Sequence, residues 1–412
     1  MEQAIQQIMT QYGVVGLAAA VVHQGHVIWS RGFGSADLER GVPVRAETMF
    51  RVASISKVLV GTAVMQQVEA GKLQLDDEIS THLGFEVRNP HHPRMPITIR
   101  HLLTHTGSLH EEQTPAAEQA YYRFLGVTRT TSEPPAIREL LVPDGAYYTS
   151  DLWAPWAVGE KFEYSNLGTG ILATILERVS GERFDRYIRQ HICEPLGMEA
   201  TFNVHDLEDI DRISVLYNAE QEPSIDQFRG VKPEAVDLSG YRIGSNGMIF
   251  SPQGGLRASV LDLTKLLLAH QQGGGIPCAA DRSADQSGRD MMAPTCTATA
   301  GGGTGTGVHG RLLKPETIVE MHEEQWRGYG VNGLYKQKGL HVHITEDLIA
   351  GERLYGHAGD AYGVLTGMYF SKEHDLGLAY CINGAHIEQG RAFNTVEEDV
   401  AQALYAHLLS KM

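Results

Sequence analysis

The sequence predicts a mixed α/β fold: an antiparallel sheet assembled from both chain ends and flanked by helices, with a mostly helical region inserted between. Three observations predict it. Short apolar, strand-like runs cluster before residue 30; a second set of such runs fills the stretch after Lys314; and the chain between them carries helical periodicity. The implied division is residues 1–75 with 240–412 as a mixed α/β unit and 76–239 as a mostly helical region.

Taken in order, Gly16 to Val22 is nearly continuous in apolar residues, then His23-Gln24-Gly25-His26 interrupts it before Val27-Ile28-Trp29. Two strands around a glycine turn fit this pattern. Ser54 to Ala70 reads as a helix: Val58, Leu59, Val64, Met65 and Val68 supply most of an apolar face and Gly71 is the stop. Pro90, Pro93 and Pro96 mark a loop. A helical pattern with long polar connections then runs to about residue 240, including a clear helix from about Gly170 to Val179 that Gly181 ends. Residues 271–310 hold Gly273-Gly274-Gly275 and a Thr/Ala/Gly-rich tract, the composition of a flexible surface insertion. Beyond it, His341-Val342-His343-Ile344 alternates, Val364 to Phe370 and Leu376 to Ile382 suggest a hairpin, and Asn394 to Leu409 is an amphipathic helix.

Charge limits the partners. The formal net charge is -16, with no local run of Lys or Arg to offset it, which argues against nucleic acid and leaves a small-molecule or peptide substrate. Cys193, Cys278, Cys296 and Cys381 are far apart and form no CxxC pair, so neither a zinc site nor a disulfide framework is expected. The most apolar early stretch, Val14 to Val22, is too short to span a bilayer. The chain as given lacks a basic, apolar leader, which fits a cytoplasmic protein, or a periplasmic or extracellular one whose leader has been removed. The sequence leaves oligomeric state open.

The chemistry lies in three separated segments. Ser54-Ile55-Ser56-Lys57 is an SxxK motif; residues three apart share a helix face, so the amine can reach the hydroxyl. A serine needs a base to become nucleophilic, and a lysine whose pKa is lowered by burial can be that base. Alone, the motif is more often just an N-cap serine and a solvated lysine. Tyr164-Ser165-Asn166 lies where a loop enters a helix; a tyrosine can share protons with a lysine, and an asparagine can orient it or hold a substrate amide. His357-Ala358-Gly359 precedes the strand pattern at 364, where Gly359 lets backbone approach a ligand and His357 offers a donor or titratable group. Two other His-x-Gly triplets, at 23–25 and 105–107, sit in a turn and at the end of a short helical stretch. His91-His92 and the pair His341 and His343 lack further ligands for a metal and are read as ordinary polar residues; no cofactor is implied. Trp153 and Trp156 fall shortly before Tyr164 and are candidates for lining a cleft.

In this order, SxxK, Tyr-x-Asn and a late His-x-Gly resemble the serine β-lactamase and penicillin-binding superfamily. The likeness is greatest to the class C β-lactamase-related group of DD-peptidases, D-aminopeptidases and esterases. Phe50-Arg51-Val52-Ala53, Gly71 to Asp77, Ile97 to Gly107, and Gly254-Gly255-Leu256 with Asp262-Leu263 extend the likeness over most of the chain, apart from 271–310. The resemblance implies a β-lactamase/transpeptidase-like fold and a serine hydrolase without a metal. Ser54 would be the acylated nucleophile, with Lys57 and Tyr164 moving its proton and Asn166, His357 and Gly359 binding substrate. The backbone N–H groups of Ser54 and Asp360 would hold the oxyanion. True class C β-lactamases carry Lys-Thr-Gly where this chain has His357-Ala358-Gly359; a histidine, with an ordinary pKa of about 6.5, is only partly charged at neutral pH. That favours esters or amides, D-Ala-D-Ala-like peptides among them. A true β-lactamase, and a penicillin-binding sensor that acylates without turnover, are the alternatives.

Overall fold

The computed structural model describes residues 1–277, 308–331 and 333–409. The strands are β1 (Gly16–His23), β2 (His26–Asp37), β3 (Val42–Pro43), β4 (Phe50–Arg51), β5 (Arg257–Ala258), β6 (Gly275–Pro277), β7 (Val308–Arg311), β8 (Trp326–Arg327), β9 (Gln337–Lys338), β10 (His343–Thr345), β11 (Leu354–Ala361), β12 (Val364–Ser371) and β13 (Leu376–Asn383). The helices are α1 (Glu2–Tyr12), α2 (Ser56–Glu69), α3 (Ile79–Leu83), α4 (Ile99–Leu103), α5 (Pro115–Thr130), α6 (Arg138–Leu141), α7 (Asn166–Ser180), α8 (Phe184–Ile188), α9 (Val260–Gln271), α10 (Pro315–His322) and α11 (Thr395–Leu409).

The expected sheet from both chain ends is present. Nine antiparallel strands run in the order β3-β2-β1-β13-β12-β11-β10-β9-β8, and the two chain ends meet where Gly16 pairs with Asn383 and His23 with Leu376. The apolar run of β1 is continuous because both of its faces are covered. Leu17, Ala19 and Val21 face α1 and α11, while Ala18, Ala20 and Val22 face the layer that holds α2 and α9. The turn at Gln24-Gly25 has both residues at positive φ, the two-residue hairpin that the sequence suggested.

Helix α2 is the centre of the molecule. Eleven of its residues are buried, among them Val58, Leu59, Val60, Val64 and Met65. An apolar face was expected; burial on nearly every side is found, since α7 and α8 pack against it and the Leu340-His341 segment approaches Gly61. Each such aliphatic side chain contributes roughly 1.5–3 kcal/mol by leaving water, so the segment that carries the SxxK motif is held rigidly.

Three expectations need correction. The sequence reading begins at Gly16, whereas α1 already forms at Glu2, burying Ile5 and Tyr12 and stopping at Gly13 with φ 64°. The helical pattern ends well before residue 240: between 194 and 256 only single 3-10 turns occur (Val204–Asp206 and Ile210–Arg212), because Pro195, Pro223, Pro233 and several positive-φ glycines break the backbone. The strand at 341 starts at His343, since His341 takes a left-handed φ of 52°. The insertion read at 271–310 falls largely on 278–307, outside the described residues; its flanks, β6 and β7, pair with each other.

Candidate active site

The turn that presents Ser54 is fixed from three directions. β4 pairs with β5, the Val52 N–H donates to the Leu256 carbonyl at 2.9 Å, and the Val52 carbonyl accepts from the Thr366 hydroxyl on β12 at 2.9 Å. Ala53 sits at φ 46°, a conformation rare for a residue with a side chain and typical of strained functional turns. Ser54 follows in a 3-10 turn (Ala53–Ile55) that leads into α2. It was read as the helix start, but α2 begins only at Ser56; Ser54 lies just ahead of it and its hydroxyl caps nothing, so the N-cap reading fails. The hydroxyl two residues on, Ser56 Oγ, accepts instead from the Leu256 N–H at 3.1 Å.

Lys57 has no exposed surface. Its Nζ lies 2.8 Å from Asn166 Oδ1, 2.8 Å from the Gln253 carbonyl and 3.2 Å from Ser54 Oγ. Burial lowers its pKa to about 7, and the opposing pull of Glu112 and Glu111 is smaller. Two of its three neighbours, an amide oxygen and a carbonyl, can only accept. In the neutral amine both remaining hydrogens go to them, and the lone pair is left pointing at the Ser54 hydroxyl. The arrangement thus sets the direction of the base, and burial brings its neutral form within reach near pH 7.

Tyr164 is held by stacking. The His105 ring lies on one side, 4.5 Å away between centroids and tilted by 25°; the Tyr335 ring is 5.0 Å away and tilted by 19°. Lys57 Nζ stands 4.7 Å from the phenol centroid. The Tyr164 hydroxyl is buried and neighbours the hydroxyls of Ser54 and Tyr335, without a well-aligned hydrogen bond to either. Burial raises its pKa, so the phenol keeps its proton and is placed as a donor rather than a base. His105, from the second His-x-Gly triplet, also anchors the loop through its Nδ1, which accepts from the Ser165 N–H at 3.1 Å. The N-cap of α7 is Ser165, whose hydroxyl accepts from the Gly168 N–H at 2.8 Å. Asn166 is thereby free of capping duty and turned toward Lys57.

The third segment lies on β11. Gly359 is required by contact: a Cβ there would come within 2.3 Å of Thr366 Oγ1, 2.7 Å of the Val52 carbonyl and 3.0 Å of the Ser54 nitrogen. β11 and β12 are joined by the two-residue turn Tyr362-Gly363, both at positive φ, and Ala361 pairs with Val364. In such a hairpin the next pair, Asp360 with Leu365, exchanges no hydrogen bonds. The Asp360 N–H is therefore directed away from β12, on the side where β10 has already ended.

His357 departs from expectation. It was read as a partly charged group facing substrate. Instead it is fully buried behind the cavity wall, with its Nδ1 donating to the Ala358 carbonyl at 2.6 Å and Nε2 without a partner among the described residues. Burial, reinforced by nearby Lys338, pushes its pKa well below the usual imidazole value. The ring is neutral and supports Tyr335 and Tyr164 from behind, at centroid distances of 5.2 and 6.3 Å.

Ser54, Tyr164, Gly359 and Asp360 open onto a cavity of about 660 Å³ whose walls include Glu112, Trp156, Lys161, Phe162, Tyr335 and Glu397. Of the two tryptophans, Trp156 lines it and Trp153 is buried away from it. Sequence reasoning missed four contributors. The Gln253 carbonyl is a backbone group and leaves no mark in the sequence. Tyr335 gave no signal. Glu111, buried, accepts from Ser165 Oγ at 2.9 Å and the Leu167 N–H at 2.8 Å, and burial raises its pKa to about 7. Glu112 accepts from Tyr122 at 2.8 Å. The doublet Glu111-Glu112, just past the His105 triplet, was the available signal for the last two. His341 and His343 are occupied by Thr169 and Tyr369 respectively. Among the described residues no helix is long and apolar enough to cross a membrane.

Known proteins bear on this geometry. Esterase EstB of Burkholderia gladioli is 28% identical over 343 residues, 80% of this chain and 85% of that protein. The D-amino acid amidase of Ochrobactrum anthropi superposes with a TM-score of 0.65 at 20% identity, covering 100% of both chains. The D-alanine carboxypeptidase AmpC of Burkholderia cenocepacia superposes with a TM-score of 0.63 at 18% identity, over 99% of this chain and 97% of that one. The sequence model of the family described as Beta-lactamase matches residues 1–402, and the chain belongs to that family of serine hydrolases.

Proposed function

We propose that the chain hydrolyses ester or amide bonds through an acyl-enzyme on Ser54; D-Ala-D-Ala-like peptides stand lower among these, because their carboxylate meets no cation on β11. The observation that carries this reading is the Lys57 amine, buried and near neutrality, with its lone pair directed at a hydroxyl 3.2 Å away. Ser54 Oγ attacks the substrate carbonyl and its proton passes to Lys57. The developing oxyanion sits between the N–H groups of Ser54 and Asp360; losing one such donor typically lowers the rate about 10²–10³-fold. Tyr164, held protonated, gives its proton to the leaving group as the carbonyl re-forms, and regains one from Lys57. Water then repeats the sequence on the acyl-enzyme and frees Ser54. Asn166 and the Gln253 carbonyl keep Lys57 on its axis.

The similarity to an esterase and to a D-amino acid amidase fits attack on both bond types. A β-lactamase activity is less favoured, because no fixed cation stands on β11 to receive a substrate carboxylate. The test is intact mass and turnover with a p-nitrophenyl ester, a D-Ala-D-Ala peptide and a penicillin. Turnover with a transient adduct on Ser54, absent in Ser54→Ala, is expected. A Ser54→Ala protein with undiminished turnover overturns the assignment. A persistent adduct without turnover assigns the chain to acylated sensors instead.

A further inference from the structure

We infer that the turn at residues 251–255 carries a second site, separate from the substrate cavity, which binds a small oxyanion (carboxylate or phosphate) and whose occupancy raises the turnover of Ser54. The site itself stands apart from the serine-hydrolase reading; its effect on turnover rests on that reading.

Three arginines meet on this one turn. Arg129, near the end of α5, donates to Ser251 Oγ at 2.9 Å; Arg51, on β4, donates through Nε to the Gly254 carbonyl at 3.0 Å; Arg257, on β5, donates to the Gly255 carbonyl at 2.9 Å. Only Arg257 is matched by an acid: both oxygens of Asp226 accept from it, at 2.6 and 3.0 Å. Arg51 and Arg129 have no carboxylate partner among the described residues. Three positive charges thus face one negative charge, in a chain whose net charge is -16. Arg51 shows the consequence. Burial, and then the charge of Arg257, press its pKa down to about 10, and Arg129 adds to them.

The unpaired groups have the form of an oxyanion receptor. The Arg51 guanidinium lies 5.0 Å from the centroid of the Tyr362 ring, which orients the planar fork, and its terminal nitrogens have no hydrogen-bond acceptor among the described residues. Arg129 Nε is buried, likewise without a partner among them. Such donors are costly to leave unmet, and an oxyanion offers them charge and several acceptor oxygens at once. A cation or a neutral amide does not. None of Arg51, Arg129, Ser251 and Tyr362 lines the cavity onto which Ser54 opens, so the receptor is distinct from the place of the substrate carbonyl.

The same turn gives the Gln253 carbonyl to Lys57 at 2.8 Å. Ser251 at its head takes φ 54°, a left-handed value that a residue with a side chain adopts at a cost. Repulsion among the guanidinium groups works against this turn. An oxyanion between them removes the repulsion and ties α5, β4 and the turn together, which holds the Gln253 carbonyl on Lys57 and the amine on Ser54.

The test uses the full chain at pH 7, with sodium phosphate or succinate titrated against chloride at constant ionic strength. We expect about 20 mM phosphate to raise the thermal unfolding midpoint by about 2–5 °C. With uncharged p-nitrophenyl acetate, kcat should rise about two- to fivefold and KM should stay unchanged. Arg129→Gln abolishes both responses and Arg129→Lys restores part of them. Arg51→Lys, which keeps the charge and loses the fork, weakens phosphate affinity about tenfold. The stronger of the phosphate and succinate responses names the class of oxyanion. No midpoint rise with either anion, or an equal rise in Arg129→Gln, overturns the site. An anion that raises KM and leaves kcat alone competes in the substrate cavity and overturns a separate site. A midpoint rise with kcat unchanged overturns the link to Lys57. The midpoint is read without turnover, so a chain with no Ser54-dependent turnover of any substrate loses the serine-hydrolase reading, while the oxyanion site is still decided by its own measurement.

Discussion

Among the described residues two lysines are fully buried, and they show what burial alone does and does not make. Lys57 on α2 and Lys338 on β9 both have no exposed surface, and desolvation lowers the pKa of both. Lys57 has three oxygen neighbours within 3.2 Å, of which two fix its hydrogens and the third is Ser54 Oγ. Lys338 Nζ has no hydrogen-bond partner among the described residues and lies 4.9 Å from the Tyr335 ring centroid. Low solvation disfavours the charged amine in each case. Only directed acceptors turn one of them into a base aimed at a hydroxyl.

The largest effect that tests this contrast is Lys57→Met. It removes the proton acceptor and leaves Ser54 in place, so kcat/KM should fall by about 10³–10⁴, mostly in kcat, by steady-state assay with a p-nitrophenyl ester. A loss confined to KM means that Lys57 only binds. Gly359→Ala comes next. The added methyl collides with the Val52 carbonyl and the Ser54 nitrogen, which are backbone and cannot swing aside. We expect about 10²-fold lower kcat/KM and roughly 1–3 kcal/mol lower stability by urea unfolding. Activity within twofold of the parent shows that the strand need not approach so closely.

The pH profile is the finer test. Lys57 must be neutral to act, and its pKa is about 7. Protonation therefore removes activity as pH falls: kcat/KM should be flat above pH 7 and drop about tenfold per unit well below it. Glu111 titrates in the same range, raised to about 7 by burial. Glu111→Gln distinguishes the two, because the acid limb should persist in that variant if Lys57 is its source. A limb that vanishes assigns it to Glu111.

What was legible in the sequence follows the same division between local and distant causes. The sheet from both chain ends was legible because strand-like runs such as Gly16 to Val22 and Val364 to Phe370 announce themselves locally. Ser54, Lys57, Tyr164 and Asn166 were legible through motif spacing and family likeness, and the structure brings them together. The side chain of His357 was misread, because nothing in His357-Ala358-Gly359 tells that Tyr335 and Lys338 will close over the ring. Gln253 could not be found: a carbonyl 196 residues from Lys57 has no side-chain signature. Lys338 is the extreme case, since Tyr335-Lys336-Gln337-Lys338 reads as an ordinary polar segment. Its burial is decided by β9 pairing with both β8 and β10.

The smallest expected effect on activity, from Lys338→Met, decides whether the contrast is sound. Methionine matches the length of the apolar stem and removes an amine that has no acceptor, so the core gains by losing an unsatisfied group. The gain should be about 1–3 kcal/mol in urea unfolding at neutral pH. Its pH dependence has a definite sign. The folded pKa lies below the ordinary lysine value, so the folded state binds fewer protons than the unfolded chain between the two values. The penalty of Lys338 is therefore full below its folded pKa and fades as pH rises toward 10.5. The advantage of Lys338→Met should shrink along the same course, being larger at pH 6 than at pH 9.5. Activity should stay within about tenfold of the parent, with the acid limb near pH 7, since an amine without directed acceptors does not take the Ser54 proton and is not among the groups that set the pKa of Lys57. A drop as deep as that of Lys57→Met places the second amine in the proton path through Tyr335 and Tyr164, and directed acceptors cease to be what separates the two lysines.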